Sequence, residues 1–334
     1  MQKNSLQKGA YSAVKVCLGV SSNDRVVILG DTQTGEVDQA LLDEAKKITP
    51  NVLLVNIDEY GKRPLQEFPQ KMQENIADFY PTVSIYAAST VQGELEYFRH
   101  FLIEFLRDEL QCRHGHMIHI TKQIMEDGMC ADYNEVFKIT NKVYDNIKDA
   151  KIIRVTSAKG TDVTATFHTN WKWIPCHGRY HKQGEWGNLP EGEVFTCPAD
   201  VNGVIVAEEL GEYFTHKYGI LSDSLSIYVK DGYVWDARCK NKSLEEDFKQ
   251  YIYTAPFCNR VGEFSIGTNT GLKKLIGNFL QDEKFPGVHI AFGHPYPKQT
   301  GADWDANRHV DVIPMGVSVW VDGRELMREG KFLL

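Results

Sequence analysis

Residues 25–150 alternate short, wholly apolar runs with amphipathic stretches, and that alternation decides the fold class more than any single motif. The run Arg25-Val26-Val27-Ile28-Leu29-Gly30 reads as a buried strand, and a helical pattern follows over residues 38–45. Further strands are expected at 51–56, 83–87 and 117–120. Helices are expected at 93–110, with apolar residues at 95, 98, 102, 105 and 106, and at 133–147. Strands separated by helices of this length require βαβ crossovers, so a parallel sheet is expected. From residue 151 the texture changes. Residues 151–156 and 162–167 alternate with a two-residue period around Lys159-Gly160 and read as a hairpin. More β signals occur at 203–206, 225–229, 288–292 and 317–321, with helices expected only at 245–251 and 271–280. The expected architecture is α/β: an N-terminal α/β domain over 1–150 with a parallel sheet, then a mixed, β-rich C-terminal domain over 151–334 that carries a metal site.

Charge and composition narrow the function classes. Lys and Arg number 37 against 45 for Asp and Glu, a net charge of −8, so nucleic acid is not an expected partner. No apolar run reaches the 18 residues needed to span a bilayer, and no membrane partner is expected. The N-terminal residues lack the apolar core of a secretion signal. The seven cysteines form no CxxC pair, and their odd count points to reduced thiols in a cytoplasm.

After the first strand the chain reads Gly30-Asp31-Thr32-Gln33-Thr34-Gly35, neither a dinucleotide fingerprint nor a Walker loop, so the first domain reads as scaffold. Metal-type residues collect in the second half. His309 and Asp311 are two apart, so on a strand both point to one face, an imidazole beside a carboxylate. His289, inside the apolar run 288–292, reads alone as a core histidine; with His309-x-Asp311 close behind, it reads as a ligand. Glu193 and Glu263 each follow a glycine and precede apolar residues, where a carboxylate is costly to bury unless paired or bound to a metal. Together these five offer three carboxylates and two imidazoles, a supply for two adjacent divalent ions. His177 and His181 form an H-x-x-x-H pair in a Pro- and Gly-rich segment, read as a loop that contacts substrate or lines a pocket. His114, His116 and His119 read as solvated residues near a turn. Trp171, Trp173, Trp186 and Tyr180 either line a pocket or pack a loop-rich core.

In this order, Gly187-Asn188-Leu189-Pro190-x-Gly192-Glu193-Val194-Phe195, Val261-Gly262-Glu263, His289-Ile290-Ala291-x-Gly293-x-x-Tyr296 and His309-x-Asp311 resemble the aminopeptidase T/S family of thermophilic metallo-aminopeptidases. The resemblance covers the second half of the chain. It implies two divalent ions (zinc, cobalt or manganese) held by Glu193, Glu263, His289, His309 and Asp311, with Tyr296 and Glu193 catalytic. It also implies a small peptide or small-molecule substrate and a homodimer. His294 and Trp304-Asp305 depart from the smaller polar residues expected there. The same fold is shared by the iron-dependent dihydroxypyridine ring-cleaving dioxygenases. By that resemblance His289, His309 and Asp311 hold one Fe(II), since a two-His-one-carboxylate set leaves positions open for substrate and O₂. A third reading is a non-catalytic binding protein on the same fold.

Overall fold

A computed structural model describes residues 5–334. The chain divides into two compact units, residues 1–137 with 178–191, and residues 138–177 with 192–334.

The first unit is built on a parallel sheet in the order Val52–Asn56, Val26–Gly30, Val83–Tyr86, Arg113–His116, Trp186–Asn188. Its strands Val26–Gly30 and Val83–Tyr86 are buried along their whole length, on both faces, as in a parallel sheet covered on either side. Asp31, at the carboxyl end of the first strand, closes the following loop on itself. Its carboxylate accepts from the backbone N–H of Gln33 and of Ser89, and it pairs with Arg63. An anionic group at the place where a phosphate loop would sit fits the scaffold reading.

The second unit is a two-sheet sandwich. One antiparallel sheet runs in the order Tyr233–Arg238, Leu225–Lys230, Asp200–Ala207, Asp162–Thr166, Ile152–Ser157, Val317–Val321, Arg324–Arg328, Lys331–Phe332. The other runs Glu209–Leu210, His309–Ile313, Gly287–Gly293, Val261–Gly267, Glu193–Thr196, Ile174–Cys176. One apolar cluster unites their inner faces: Ile153, Val155, Val163 and Ile227 from the first, Phe264, Ile266, Ile290, Phe292 and Val312 from the second. The expected hairpin is present, as are the strand at 317–321 and the helix at 133–147.

Several expectations are corrected. The sequence texture put a boundary near residue 150, whereas the compact units meet at 137/138. The Tyr133–Ile147 helix sends Val143 and Ile147 into the sandwich core, and the segment 178–191 adds the edge strand of the parallel sheet. The strand expected at 117–120 lies instead at Arg113–His116, and the chain turns at His119, whose φ is +56°. The helix expected at 93–110 carries wider π turns at Leu95–Arg99 and Phe105–Glu109, which leave Leu95 exposed while Phe98, Leu102 and Leu106 are buried. No helix forms over most of 271–280. There the Asp282 carboxylate gathers the N–H groups of Ile276, Gly277 and Asn278 at 2.7–3.0 Å, a loop wrapped on an anion that competes with helix. The regular helix is only Phe279–Asp282.

Among the described residues no helix is long and apolar enough to cross a membrane.

Candidate metal centre

The second sheet of the sandwich has two unlike faces, and strand periodicity assigns them. Val194, Phe264, Ile266, Val288, Ile290, Phe292, Val310 and Val312 belong to the core. The alternate positions Glu193, Glu263, Ser265, His289, Ala291, His309 and Asp311 therefore share the opposite face. They come from four consecutive strands, in the spatial order His309–Ile313, Gly287–Gly293, Val261–Gly267, Glu193–Thr196. The alternation holds on the Glu263 strand only because Gly262 is an extra residue. Val261 pairs with Phe292 and Glu263 with Ala291, so the chain changes face between them. Only glycine fits that position, since a Cβ there would lie 2.0 Å from the Gly293 carbonyl oxygen.

In register, Ala291 lies between Glu263 on one neighbouring strand and Asp311 on the other. Its methyl is the smallest side chain in the middle of the row, and the carboxylates and imidazoles close over it. His289 Nε2 is 3.3 Å from Glu193 Oε2, 3.3 Å from Glu263 Oε1 and 4.0 Å from Asp311 Oδ1. His309 Nε2 is 3.3 Å from Asp311 Oδ1 and 3.6 Å from Glu263 Oε2. Donors about 2.1 Å from a tetrahedral ion lie about 3.4 Å from one another, so these spacings match a ligand shell. Two ligand triads result, Glu193–Glu263–His289 and Glu263–His309–Asp311, with Glu263 common to both. Imidazole and carboxylate donors without thiolate suit zinc, cobalt, manganese or iron.

The surroundings fix the donors. His309 Nδ1–H donates to the His294 carbonyl at 3.0 Å, which leaves Nε2 facing Asp311. The His294 ring itself pairs with Asp305 through Nδ1 at 2.6 Å. Ser265 Oγ donates to Glu193 Oε2 at 3.0 Å. Tyr296 packs edge-on against His309, centroids 5.1 Å apart, and against Phe195 at 5.6 Å. Its φ of +52° is in the left-handed region, rare for a bulky residue and held here just before Pro297.

The electrostatics are those of an anionic pocket. Burial opposes charge on both imidazoles, but carboxylates outweigh it. Glu263, Glu193 and Asp311 lift His289 to about 9, and Asp311 with Glu263 lifts His309 to about 10. Burial raises the Glu263 carboxyl, with Glu193 adding to the effect against His289 and His309. Burial would also raise Glu193, but Lys284 and His289 hold it below its ordinary value. Burial and the nearby carboxylates raise the Tyr296 phenol well above its ordinary value, which keeps it protonated beside the row.

All five expected ligands thus meet on one face, with Tyr296 beside them. The other candidates fall elsewhere. His181 lies in the first unit and His177 in the second, and His181 Nε2 donates to the Val16 carbonyl at 2.9 Å. His114 and His116 are not solvated: both are buried on a parallel strand, His116 stacked on Tyr86, and burial pushes their pKa values down. The aromatic cluster is divided, with Trp173 against Phe264 in the sandwich core and Tyr180 and Trp186 in the first unit. Sequence reasoning passed over Ser265, readable in principle as two residues from Glu263, and over Glu283 and Lys284. Lys284 Nζ is buried 2.6 Å from Glu193 Oε1 and 2.7 Å from Glu283 Oε1.

The family model described as thermophilic metalloprotease (M29) matches residues 113–310. Comparison with curated proteins gives no match. Among solved structures, 2,5-dihydroxypyridine dioxygenase from Pseudomonas putida KT2440 is similar with a TM-score of 0.69 at 13% identity, covering 98% of this chain and 96% of that one. Wild-type AmpT from Thermus thermophilus is similar with a TM-score of 0.67 at 17% identity, covering 99% of each chain. At these identities the two structures bear out the fold alone.

Proposed function

The chain belongs to the thermophilic metalloprotease (M29) family, and from that premise we propose that it is a divalent-metal aminopeptidase that hydrolyses the N-terminal bond of small peptides. The observation that carries this reading is the row of Glu193, Glu263, His289, His309 and Asp311 on one sheet face, at ligand-shell spacings, with a protonated tyrosine at its end.

A divalent ion held by these residues would supply Lewis acidity toward the scissile carbonyl and acidify the attacking water. The protein's own groups do the rest. Tyr296 donates a hydrogen bond to the oxygen on which charge develops as water adds to the carbonyl carbon. Glu193 lies on the last strand of the row and Glu263 on the strand beside it, and either carboxylate can accept the water's proton, which the departing amine takes up as the C–N bond breaks. The His294 carbonyl and Ser265 hold the His309 ring and the Glu193 carboxylate in place, so little reorganisation accompanies the reaction.

Steady-state hydrolysis of aminoacyl-p-nitroanilides, by protein loaded in turn with Zn²⁺, Co²⁺ and Mn²⁺, tests the reading. Turnover is expected in the wild type, with a loss of about 10²–10³-fold in kcat for Tyr296→Phe, the scale of one lost oxyanion donor. No hydrolysis with any of the three ions defeats it. A second reading, ring cleavage by one Fe(II), is favoured by the place of Asp311, whose Oδ1 lies 3.3 Å from His309 Nε2 and 4.0 Å from His289 Nε2. Oxygen uptake with 2,5-dihydroxypyridine by the anaerobically iron-loaded protein would select it.

A further inference from the structure

We propose that the Lys284 ammonium stands where a second cation would sit, so that the pocket takes one divalent ion, at the Glu263–His309–Asp311 end, and none at Glu193. This rests on the metal-centre reading above and specifies its stoichiometry.

Lys284 is 1% exposed, a rare state for lysine outside a close ion pair. Its Nζ spans Glu193 Oε1 at 2.6 Å and Glu283 Oε1 at 2.7 Å. Glu193 Oε2 already accepts from Ser265 Oγ at 3.0 Å and faces His289 Nε2 at 3.3 Å. Each oxygen of Glu193 is thus engaged by a donor on its inner side. At the other end, His309 Nε2 lies 3.3 Å from Asp311 Oδ1 and 3.6 Å from Glu263 Oε2.

The fold builds the lysine in. Gly267 is the register partner of Glu193 on the neighbouring strand. A Cβ on Gly267 would lie 2.0 Å from the Phe285 carbonyl oxygen and 3.0 Å from the Lys284 carbonyl carbon, so the missing side chain is what admits the Lys284 backbone beside Glu193. The lysine's own backbone is tied on both sides, its carbonyl accepting from Asn269 N at 3.0 Å and its N–H donating to Gln281 O at 3.0 Å. The loop before it is wrapped on the Asp282 carboxylate.

Charge agrees. A second divalent ion at Glu193 would be crowded against the ammonium that Glu193 and Glu283 already share in a buried pocket.

The test is metal content by inductively coupled plasma mass spectrometry, on full-length protein saturated with Zn²⁺ and desalted. About one zinc per chain is expected for wild type and for Lys284→Arg, and about two for Lys284→Met, in which the charge is gone and Glu193 is released. Glu193→Gln is expected to keep its zinc and Asp311→Asn to lose it, a comparison that stands even if Lys284→Met does not fold. Two zinc ions in the wild type, a single zinc in folded Lys284→Met, or loss of zinc in Glu193→Gln would each overturn the inference. One zinc without aminoacyl-anilide hydrolysis upholds this count while defeating the peptidase reading; two with hydrolysis does the reverse.

Discussion

If one face of the Val261–Gly267 strand carries core and the other carries metal ligands, the two should be separable by mutation. Phe264 is the sharpest place to ask. It is wholly buried, with its ring edge-on to Phe167 at 5.5 Å and to Trp173 at 6.3 Å, while its neighbours Glu263 and Ser265 face the pocket. Phe264→Ala removes a full aromatic ring from a site with no route for solvent, a change that costs about 3–5 kcal/mol. For a domain of 150–250 residues each kcal/mol moves Tm by about 2–4 °C, so a fall of roughly 6–20 °C is expected. Every tryptophan except Trp186 lies in the second unit, so tryptophan fluorescence during urea unfolding reports mainly on the affected part. Zinc at a hundred times its Kd should then stabilise wild type and variant alike by about 2.7 kcal/mol, because the ligand face is left intact. A fall in stability under 1 kcal/mol, or zinc stabilisation present in wild type and absent in the variant, would refute the two-face argument.

Three further outcomes are expected. Ala291→Leu, which places a branched chain between Glu263 and Asp311, should cost about 1–3 kcal/mol by overpacking and cut zinc affinity by equilibrium dialysis at least tenfold, about the effect of losing an orienting contact; full affinity in a folded variant would count against the register. His289 and His309 have values raised to about 9 and about 10, so their contribution to the metal-free fold is complete below about pH 6.5 and is lost as pH rises through 9 to 10. Ligation needs neutral rings, so calorimetry of zinc binding at pH 7 in two buffers of unlike ionisation enthalpy should show protons released, and no release would contradict the raised values. The expected homodimer should give, by light scattering at micromolar concentration, about twice the chain mass of 38.0 kDa, and a monomer mass would dismiss it.

The site was legible in the sequence where its chemistry lies along one strand. His309 and Asp311 share a face by simple alternation, and His289 declares itself as a lone imidazole in the apolar run Val288–Phe292. What escaped depends on contacts between strands and loops far apart in the chain. Lys284 lies in a short charged stretch that reads as surface, and its burial follows from a backbone approach to Gly267. The Asp282 loop looked helical because three N–H groups bonding one carboxylate leave no trace in a periodicity. His114 and His116 looked solvated because their polarity outweighed their position on an inner parallel strand, flanked on both sides by others. The helix at 133–147 was plain, but which unit it packs on is decided by Val143 and Ile147, which alternation cannot assign to a partner.

The extra residue at Gly262 has a consequence for how this site can change over generations. A strand is read two residues at a time, so a single insertion works as a phase shift: everything before it keeps one sense of inside and outside, everything after it takes the other. Point substitutions at Glu263, Ser265 or Ala291 alter the chemistry and leave the core alone, so one scaffold can be retuned ligand by ligand. Gly262 itself is different. A Cβ there would lie 2.0 Å from the Gly293 carbonyl oxygen, so no other residue fits without moving the neighbouring strand, whereas its deletion would leave Val261, Glu263 and Phe264 in plain alternation and remove only the bulge. The lineage of this pocket is thus open to substitution at its ligands and closed to it at one glycine that carries no functional group at all.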